Sequence, residues 1–284
     1  MASTDLAPRL LIGCDFSSSP SRRKPIVIAI GNSIFGSTSG QITLSKIERF
    51  DTLTAWLHFL MEQPAWLGAF DLPFGLPREL VQALGWPQEW LPCMQHFASL
   101  TRPEIRATFK AFCDARPLGQ KFAHRATDLP AGSSPSMKWV NPPVAYMMHA
   151  GVPLLLQTGA SFPGLHPTGS GRIAFEAYPG LLIRELIGRQ SYKSDTKAKQ
   201  TPARHAARIA AVQALECGQS RLGLTLKLST AQRSILIEDA TGDSLDAVAC
   251  LVQAAWAERR ATQGDLRYGW PTGADSLEGW ILTA

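Results

Sequence analysis

The sequence lacks a long apolar segment, a clustered cysteine motif and a signal-like N-terminus, and each absence excludes a class of protein. No apolar run reaches the roughly eighteen residues that a membrane-spanning helix needs, which predicts a protein without a membrane span. The stretch MASTDLAPRLL has no basic region followed by an apolar run, so we expect no secretory signal. Five scattered cysteines argue against a disulfide framework and favour a reducing cytoplasm.

Two large enzyme classes are excluded by missing motifs. The chain has no GxxxxGK[ST] phosphate-binding loop and no GxSxG nucleophile elbow. Its six histidines show no spacing typical of metal ligands. A P-loop nucleotidase, a serine hydrolase of the elbow type and a histidine-based metal site are therefore not expected.

Positive charge is concentrated in two stretches of this chain. The 284 residues carry a net charge of +5 and are 45% hydrophobic, which is enough to build one large α/β domain or two small ones. Arg102–Lys138 alone contributes +4 and Arg184–Arg208 contributes +5, so the remainder is acidic. Local basic patches favour a polyanionic partner, such as nucleic acid or another phosphodiester. The alternative is that both stretches are ordinary solvated helix faces.

The first quarter of the chain has the pattern of a small antiparallel meander followed by a helix and a strand. LLIGCDF, PIVIAIG and QITLSKI are three β-rich runs at short spacing, with a turn through Gly36–Gly40. Thr52–Met61 has apolar residues at helical spacing, and WLGAFD is a buried strand. This order predicts an α/β fold with a mixed sheet.

The rest of the chain predicts an insertion and then a return to regular structure. Residues of about 77–167 are rich in Pro, Arg, Trp and Met, and we expect a mainly helical cap with long loops. GRIAFEAYPG then predicts a strand, and three helices follow in LLIRELIG, TPARHAARIAAVQALECG and DSLDAVACLVQAAWAERR. We expect a single domain over residues 1–284, with helices flanking the sheet.

Five acidic residues are embedded in apolar sequence, where a charge is costly. Asp15 and Asp71 each end a predicted strand, Glu176 lies in another, and Asp243 and Asp246 open the last helix. Several buried carboxylates repel one another unless a cation neutralises them. Carboxylate oxygens are the ligands that Mg²⁺ and Mn²⁺ prefer, so the set predicts a metal site at one sheet edge.

Each acid also has a simpler explanation. Asp15 and Asp71 can accept backbone N–H bonds in the turns that follow them, and Asp243 can cap a helix. Glu176 can pair with an arginine of the insertion. For Asp246 the metal interpretation is favoured, because a wholly small or apolar run follows it.

The segments FDLPFGLP, FEAYPG and GDSLDAVAC resemble domain-of-unknown-function family 429, which is described as predicted nucleases of the ribonuclease H-like fold. The final acidic pair is also similar to that of the Holliday-junction resolvases. The resemblance implies a ribonuclease H-like mixed sheet and carries the family's acids over to Asp71, Glu176, Asp243 and Asp246. Asp15 matches the first-strand acid of the whole fold.

This resemblance implies a metal-dependent nuclease. Two Mg²⁺ or Mn²⁺ ions about 4 Å apart would share Asp15, with Asp71 and Asp246 completing their shells. Glu176 or Asp243 would be a further ligand or a proton acceptor. One departure is that position 71 is an aspartate, where many resolvase-like enzymes have a glutamate, so its shorter arm would reach a metal only through water.

Basic residues near the acids predict phosphate contacts. Arg102, Arg106 and Lys110 recur at every fourth residue and form one stripe on a helix. Lys193 and Lys197 lie in a basic loop that we expect on the other side of a groove. Such contacts supply affinity without reading sequence.

Two alternatives to a nuclease stay open. One is a non-catalytic nucleic-acid-binding module on the same fold, since fold does not determine function. The other is a phosphotransferase of the actin and sugar-kinase type, because Asp15–Ser19 resembles the first phosphate loop of those proteins. That resemblance is incomplete, since Phe-Ser replaces x-Gly and neither a second phosphate loop nor a repeated domain is found.

Overall fold

The computed structural model describes residues 9–36 and 40–284. Two sequence predictions therefore lie wholly or partly outside the described residues. They are the absence of a signal in the first residues of the chain and the turn through Gly36–Gly40, of which residues 37–39 are not described. The described chain has an α/β fold with a mixed sheet flanked by helices, so the predicted fold class is confirmed. Within the same ranges, no helix is both long and apolar enough to cross a membrane.

A sheet of six strands forms the centre of the described structure. The strands are β1 (Leu10–Asp15), β2 (Ile26–Phe35), β3 (Gly40–Phe50), β4 (Trp66–Asp71), β5 (Arg172–Glu176) and β6 (Leu224–Lys227). Their order across the sheet is β5-β4-β1-β2-β3-β6, and β2 runs antiparallel to both of its neighbours. The meander β1–β3 followed by parallel β4 and β5 is the ribonuclease H-like arrangement.

Helices cover both faces of this sheet. One face carries α7 (Pro179–Ile187), α8 (Pro202–Glu216), α9 (Thr230–Glu238) and α10 (Asp243–Thr262). The other face carries α1 (Leu53–Glu62), α2 (Arg78–Ala83), α3 (Trp90–Ser99), α4 (Arg102–Asp114) and α6 (Val144–Gln157). The short helix α5 (Asp128–Ala131) lies beside α7, where Arg184 donates to the carbonyl oxygen of Ala131. Because both faces are buried, the central strands are apolar at consecutive positions instead of alternating with polar residues.

The helix-rich insertion belongs to the same core as the sheet. Helices α2–α6 lie between β4 and β5 in sequence, within the residues of about 77–167. Its side chains Phe97, Phe109 and Val152 belong to the same buried cluster as Ile12 and Phe70 of the sheet. The insertion is therefore packed against the sheet as part of the domain.

A glycine in β1 sets the position of α10. A Cβ atom at Gly13 would lie 2.1 Å from the carbonyl oxygen of Ala247 and 2.1 Å from the backbone nitrogen of Leu251. Any other residue would place its Cβ atom against the backbone of α10, and no change of side-chain rotamer can relieve such a clash. The close approach brings the first turn of α10 beside the end of β1.

Most element boundaries follow local signals, and two elements were missed. The Thr52 and Thr201 hydroxyls accept the N–H groups of Ala55 and Arg204, so both cap their helices. Strand β6 and helix α9 were not predicted. Strand β6 has only four residues, whereas the capping box of α9 at Ser229 was a readable signal.

Candidate active site at the ends of strands β1 and β4

Asp15 and Asp71 lie side by side at the ends of two parallel strands. They are register partners in the β1–β4 pair, and neighbouring strands are about 4.8 Å apart. Side chains alternate between sheet faces, so Asp15 shares a face with Leu11, and Asp71 shares one with Leu67. Both leucines belong to the cluster on the α10 face. The two carboxylates are thus directed to the same helix.

Neither of these two carboxylates has a hydrogen-bond donor in the described part of the chain. The backbone N–H contacts that would make them simple turn acceptors are not formed there. Burial raises the pKa of Asp15 well above its usual value, and the charges of Asp246, Asp243 and Asp71 raise it further. Burial also raises the pKa of Asp71 to about 7. Burial is the first cause in both groups, and nearby carboxylate charges add to it.

Asp246 completes the cluster from the first turn of α10. Its side chain is 0% exposed, and its Oδ1 accepts a 2.5 Å hydrogen bond from the Tyr192 hydroxyl. Its Oδ2 forms an ion pair with Lys193 Nζ. The charge of Asp246 contributes to the raised pKa of both Asp15 and Asp71, so the three carboxylates interact electrostatically.

The start of α10 is capped by a residue that sequence reasoning did not single out. Asp239 Oδ2 accepts the backbone N–H of Ser244 at 2.9 Å, and its Oδ1 accepts the Thr241 hydroxyl at 2.6 Å. Asp243 is therefore not needed as the cap. Its pKa is raised, first by burial and then by the charge of Asp239, with a smaller contribution from Asp246. Asp243 is the fourth acid at this edge.

Two lysines face the acids. Lys193 lies in the loop between α7 and α8, and its charge lowers the pKa values of Asp15, Asp71 and Asp243. Burial alone would lower the pKa of Lys193, but the carboxylates outweigh it and leave that pKa well above its usual value. Lys24 lies at the rim, where its Nζ donates to Asp195 Oδ2 at 2.8 Å. The cluster carries more negative than positive charge.

Glu176 lines the same cavity as Asp71, and its charge contributes to the raised pKa of Asp71, but it approaches from the other face of the sheet. It is the register partner of Phe70, one residue before Asp71, and so its side chain lies on the opposite face of the sheet. On that face Arg125 donates to both carboxylate oxygens of Glu176, at 2.6 and 2.7 Å. The backbone N–H of Phe74 donates to the same group at 2.9 Å. The arginine-pair alternative therefore describes its environment.

Arg125 organises a buried ionic network beneath the sheet edge. It is 2% exposed and also donates to Asp128 Oδ1 at 2.9 Å and to the carbonyl oxygen of Glu278 at 3.0 Å. Burial lowers the pKa of this guanidinium, but the two carboxylates reverse the effect and raise it. The spacing of Arg125 and Asp128 in the sequence could have indicated their ion pair. No local pattern indicated that Glu176 is the second carboxylate bound by Arg125.

The basic stripe of α4 begins close to the acidic edge. Arg102 donates to the carbonyl oxygen of Ser18 at 3.1 Å, and Ser18 lies in the turn that follows Asp15. Arg102, Arg106 and Lys110 line one surface groove, although Lys110 also pairs with Asp114. The hydrogen bond from Arg102 to Ser18 therefore places the start of the basic stripe beside the turn that follows β1.

The two loop lysines have different environments. Lys197 is exposed in a short 3₁₀ turn, Lys197–Lys199. Lys193 contacts Asp246 of the acidic cluster, while 42% of its side chain stays exposed to solvent.

Space for a substrate group exists next to Asp71. A cavity of about 100 Å³ lies between the sheet edge and the insertion. Its apolar walls include Leu72, Val144 and Met147. Its polar lining includes Arg125, Glu176 and Tyr178. A group bound there would be next to the acidic cluster.

The donor chemistry at this edge fits a hard divalent cation, but the present arrangement is not a closed chelate. Across residues 9–36 and 40–284, no three His, Cys, Asp or Glu side chains are grouped to hold a metal ion. Asp15 and Asp71 offer unpartnered carboxylate oxygens, while both oxygens of Asp246 contact Tyr192 and Lys193. Mg²⁺ or Mn²⁺ suits such oxygens and retains its own waters.

The chain matches no protein-family model, no curated protein and no solved structure. What the site does is therefore inferred from its own residues.

Proposed function

We propose that this chain is a metal-dependent nuclease that hydrolyses phosphodiester bonds with Mg²⁺ or Mn²⁺. The observation that supports it best is the pair of unpartnered, largely buried carboxylates of Asp15 and Asp71, with Asp246 on the helix that faces them. A cluster with this excess of negative charge is costly unless a cation is part of its working state.

The residues of the chain have separate roles in this proposal. Asp15 and Asp71 would hold the ion, and Asp246 and Asp243 would add negative charge beside it. A bound divalent ion lowers the pKa of a water molecule and neutralises charge on a phosphate. Glu176 has a positioning role instead, because its contact with Phe74 ties the end of β5 to the segment that follows Asp71.

Nucleic acid is the phosphodiester that the surface fits best. Arg102 and Arg106 lie on a helix that begins beside the turn after Asp15, so a backbone that contacts them passes the acidic edge. Phosphate contacts of this type give affinity without sequence preference. Lys197 adds exposed charge on the loop that carries Lys193.

A non-catalytic nucleic-acid-binding module is the second candidate. It is favoured by one observation, which is that Lys193 already neutralises part of the cluster without a metal. The phosphotransferase alternative would require a second domain of the same type, and the described residues contain one sheet.

The test of the proposed function is cleavage of end-labelled oligonucleotides. We expect the wild-type chain to cut single-stranded or duplex DNA or RNA in Mn²⁺ or Mg²⁺, and to be inactive in EDTA, because the carboxylates alone cannot neutralise a phosphate. Gel analysis of the four substrates measures this. Tight binding of the oligonucleotides without cleavage in either metal would support the binding module instead.

Replacing Arg106 with glutamate should weaken nucleic-acid binding. The change removes one phosphate contact, so we expect affinity to fall several-fold and the slope of log K against log salt to decrease by about 1. Fluorescence anisotropy with a labelled oligonucleotide at several salt concentrations measures both quantities.

A matched control for this variant is Arg260→Glu, the same charge change near the other end of α10 from the site. The control should leave affinity and salt slope close to wild type. Equal losses in the two variants would show that net charge, and not the stripe on α4, governs binding.

A further inference from the structure

We propose that Lys193 takes the place of a second metal ion, so that the site binds one divalent cation on Asp15 and Asp71 while the Lys193 ammonium remains on Asp246. This inference rests on the proposed metal site. It replaces the two ions that the sequence resemblance implies with one ion and the lysine ammonium.

The contacts of Asp246 carry the first step of the argument. One of its oxygens pairs with Lys193 Nζ and the other accepts the Tyr192 hydroxyl, and the side chain has no exposed surface. A second ion that used Asp246 would have to displace a cation from a fully buried carboxylate. Separating this pair is costly, because the buried carboxylate of Asp246 would lose its cation, although Lys193 itself is 42% exposed.

The backbone around Lys193 holds it in this position. The carbonyl oxygen of Tyr192 accepts a 2.8 Å hydrogen bond from Arg208, whose own side chain is largely buried. On the other side, the N–H of Ser194 donates to the carbonyl oxygen of Ala240 at 3.1 Å. Lys193 is thus fixed between two anchored residues, so its contact with Asp246 does not depend on a freely moving side chain alone.

The start of α10 is also shaped around the lysine stem. Gly242 precedes the helix with φ of +80°, a conformation that favours glycine. A Cβ atom there would lie 2.7 Å from Lys193 Cβ and 3.0 Å from its Cδ. Glycine is required on both counts, and the space it leaves is filled by the aliphatic part of Lys193.

Asp15 and Asp71 are left for the metal. They accept no hydrogen bond within the described ranges, and each is a register partner of the other at the sheet edge. A single ion on these two residues lies beside the lysine on Asp246, so a phosphate at this edge would meet two positive groups of different kinds. The lysine supplies charge that cannot be removed by a chelator.

The number of bound Mn²⁺ ions tests this inference without any nuclease substrate. We expect titration calorimetry, with free Mn²⁺ counted by electron paramagnetic resonance, to give one ion per wild-type chain. Lys193→Met should bind two, because Asp246 then becomes available. Lys24→Met is the matched control and should still bind one, since Lys24 pairs with Asp195 at the rim.

Each result supports or overturns a distinct statement. Two ions on the wild-type chain, or one ion on a folded Lys193→Met variant, would overturn the role of Lys193 and leave the proposed nuclease intact. No binding to either protein would overturn the metal site together with this inference. A wild-type count of two ions overturns the inference without any variant, so the inference can still fail where Lys193→Met does not fold.

Discussion

The Asp15→Asn variant is expected to lose Mn²⁺ binding while keeping its fold. Asp15 and Asp71 are the two carboxylates without another partner, and asparagine removes the charge of one of them with little change in shape. Outer-shell partners of metal ligands alone are worth about 10–100-fold in affinity, so loss of a direct ligand should exceed about 100-fold. Titration calorimetry with Mn²⁺ measures the change.

The same variant should also be more resistant to denaturant in the absence of metal. The raised pKa of Asp15 means that its ionised form is disfavoured in the folded state, first by burial and then by the charges of Asp246, Asp243 and Asp71, so a neutral side chain removes both costs. Asp51→Asn, on an exposed carboxylate, is the control and should change neither Mn²⁺ affinity nor stability appreciably. A folded Asp15→Asn protein that binds Mn²⁺ like the wild type would rule out Asp15 as a ligand.

Replacing Arg125 with methionine should cause the largest loss of stability. The guanidinium is almost fully buried and donates to Glu176 and Asp128, so its removal leaves two carboxylates without their cation. Breaking a buried pair on one side costs about 3–5 kcal/mol. Urea unfolding followed by circular dichroism measures the difference in the free energy of unfolding.

Two further variants show whether the loss of stability comes from unpaired buried charges or from lost packing around Arg125. The triple variant Arg125→Met, Glu176→Gln and Asp128→Asn removes the stranded charges and should recover most of the lost stability. Arg260→Met breaks an exposed pair with Asp265 and should cost less than about 1 kcal/mol. A triple variant as unstable as Arg125→Met would show that the network is not held together by its charges.

The acids of β1, β4 and α10 could be predicted because each interrupts a strong local pattern. Asp15 and Asp71 follow apolar runs that are long enough to identify buried strands, and Asp246 is followed by small and apolar residues. Parallel strands that end together then bring two of the acids to one edge. Local pattern and simple topology were sufficient for this part of the site.

The environment of Glu176 could not be predicted in the same way. Strand β5 has apolar residues toward both faces, so the sequence does not show which face Glu176 occupies. The face that Glu176 occupies depends on the register of β5 against β4, and a shift of one residue would reverse it. Its partner Arg125 is 51 residues away in the chain, so no local pattern joins the two. The sequence also showed the positive charge of Lys193 but not its contact with Asp246. That contact requires a residue without a side chain at position 242, where Gly242 packs against the aliphatic part of Lys193.

The burial of α10 has a consequence for the order in which the protein opens. Every residue from Asp243 to Ala255 is buried, and the amide of Asp246 is hydrogen-bonded to the carbonyl oxygen of Gly242. Amides in such an element exchange with deuterium only when the whole domain unfolds. The Asp246 amide should therefore be among the slowest to exchange, whereas the exposed Lys197–Lys199 turn exchanges early. On heating, the acidic edge then keeps its helix until global unfolding.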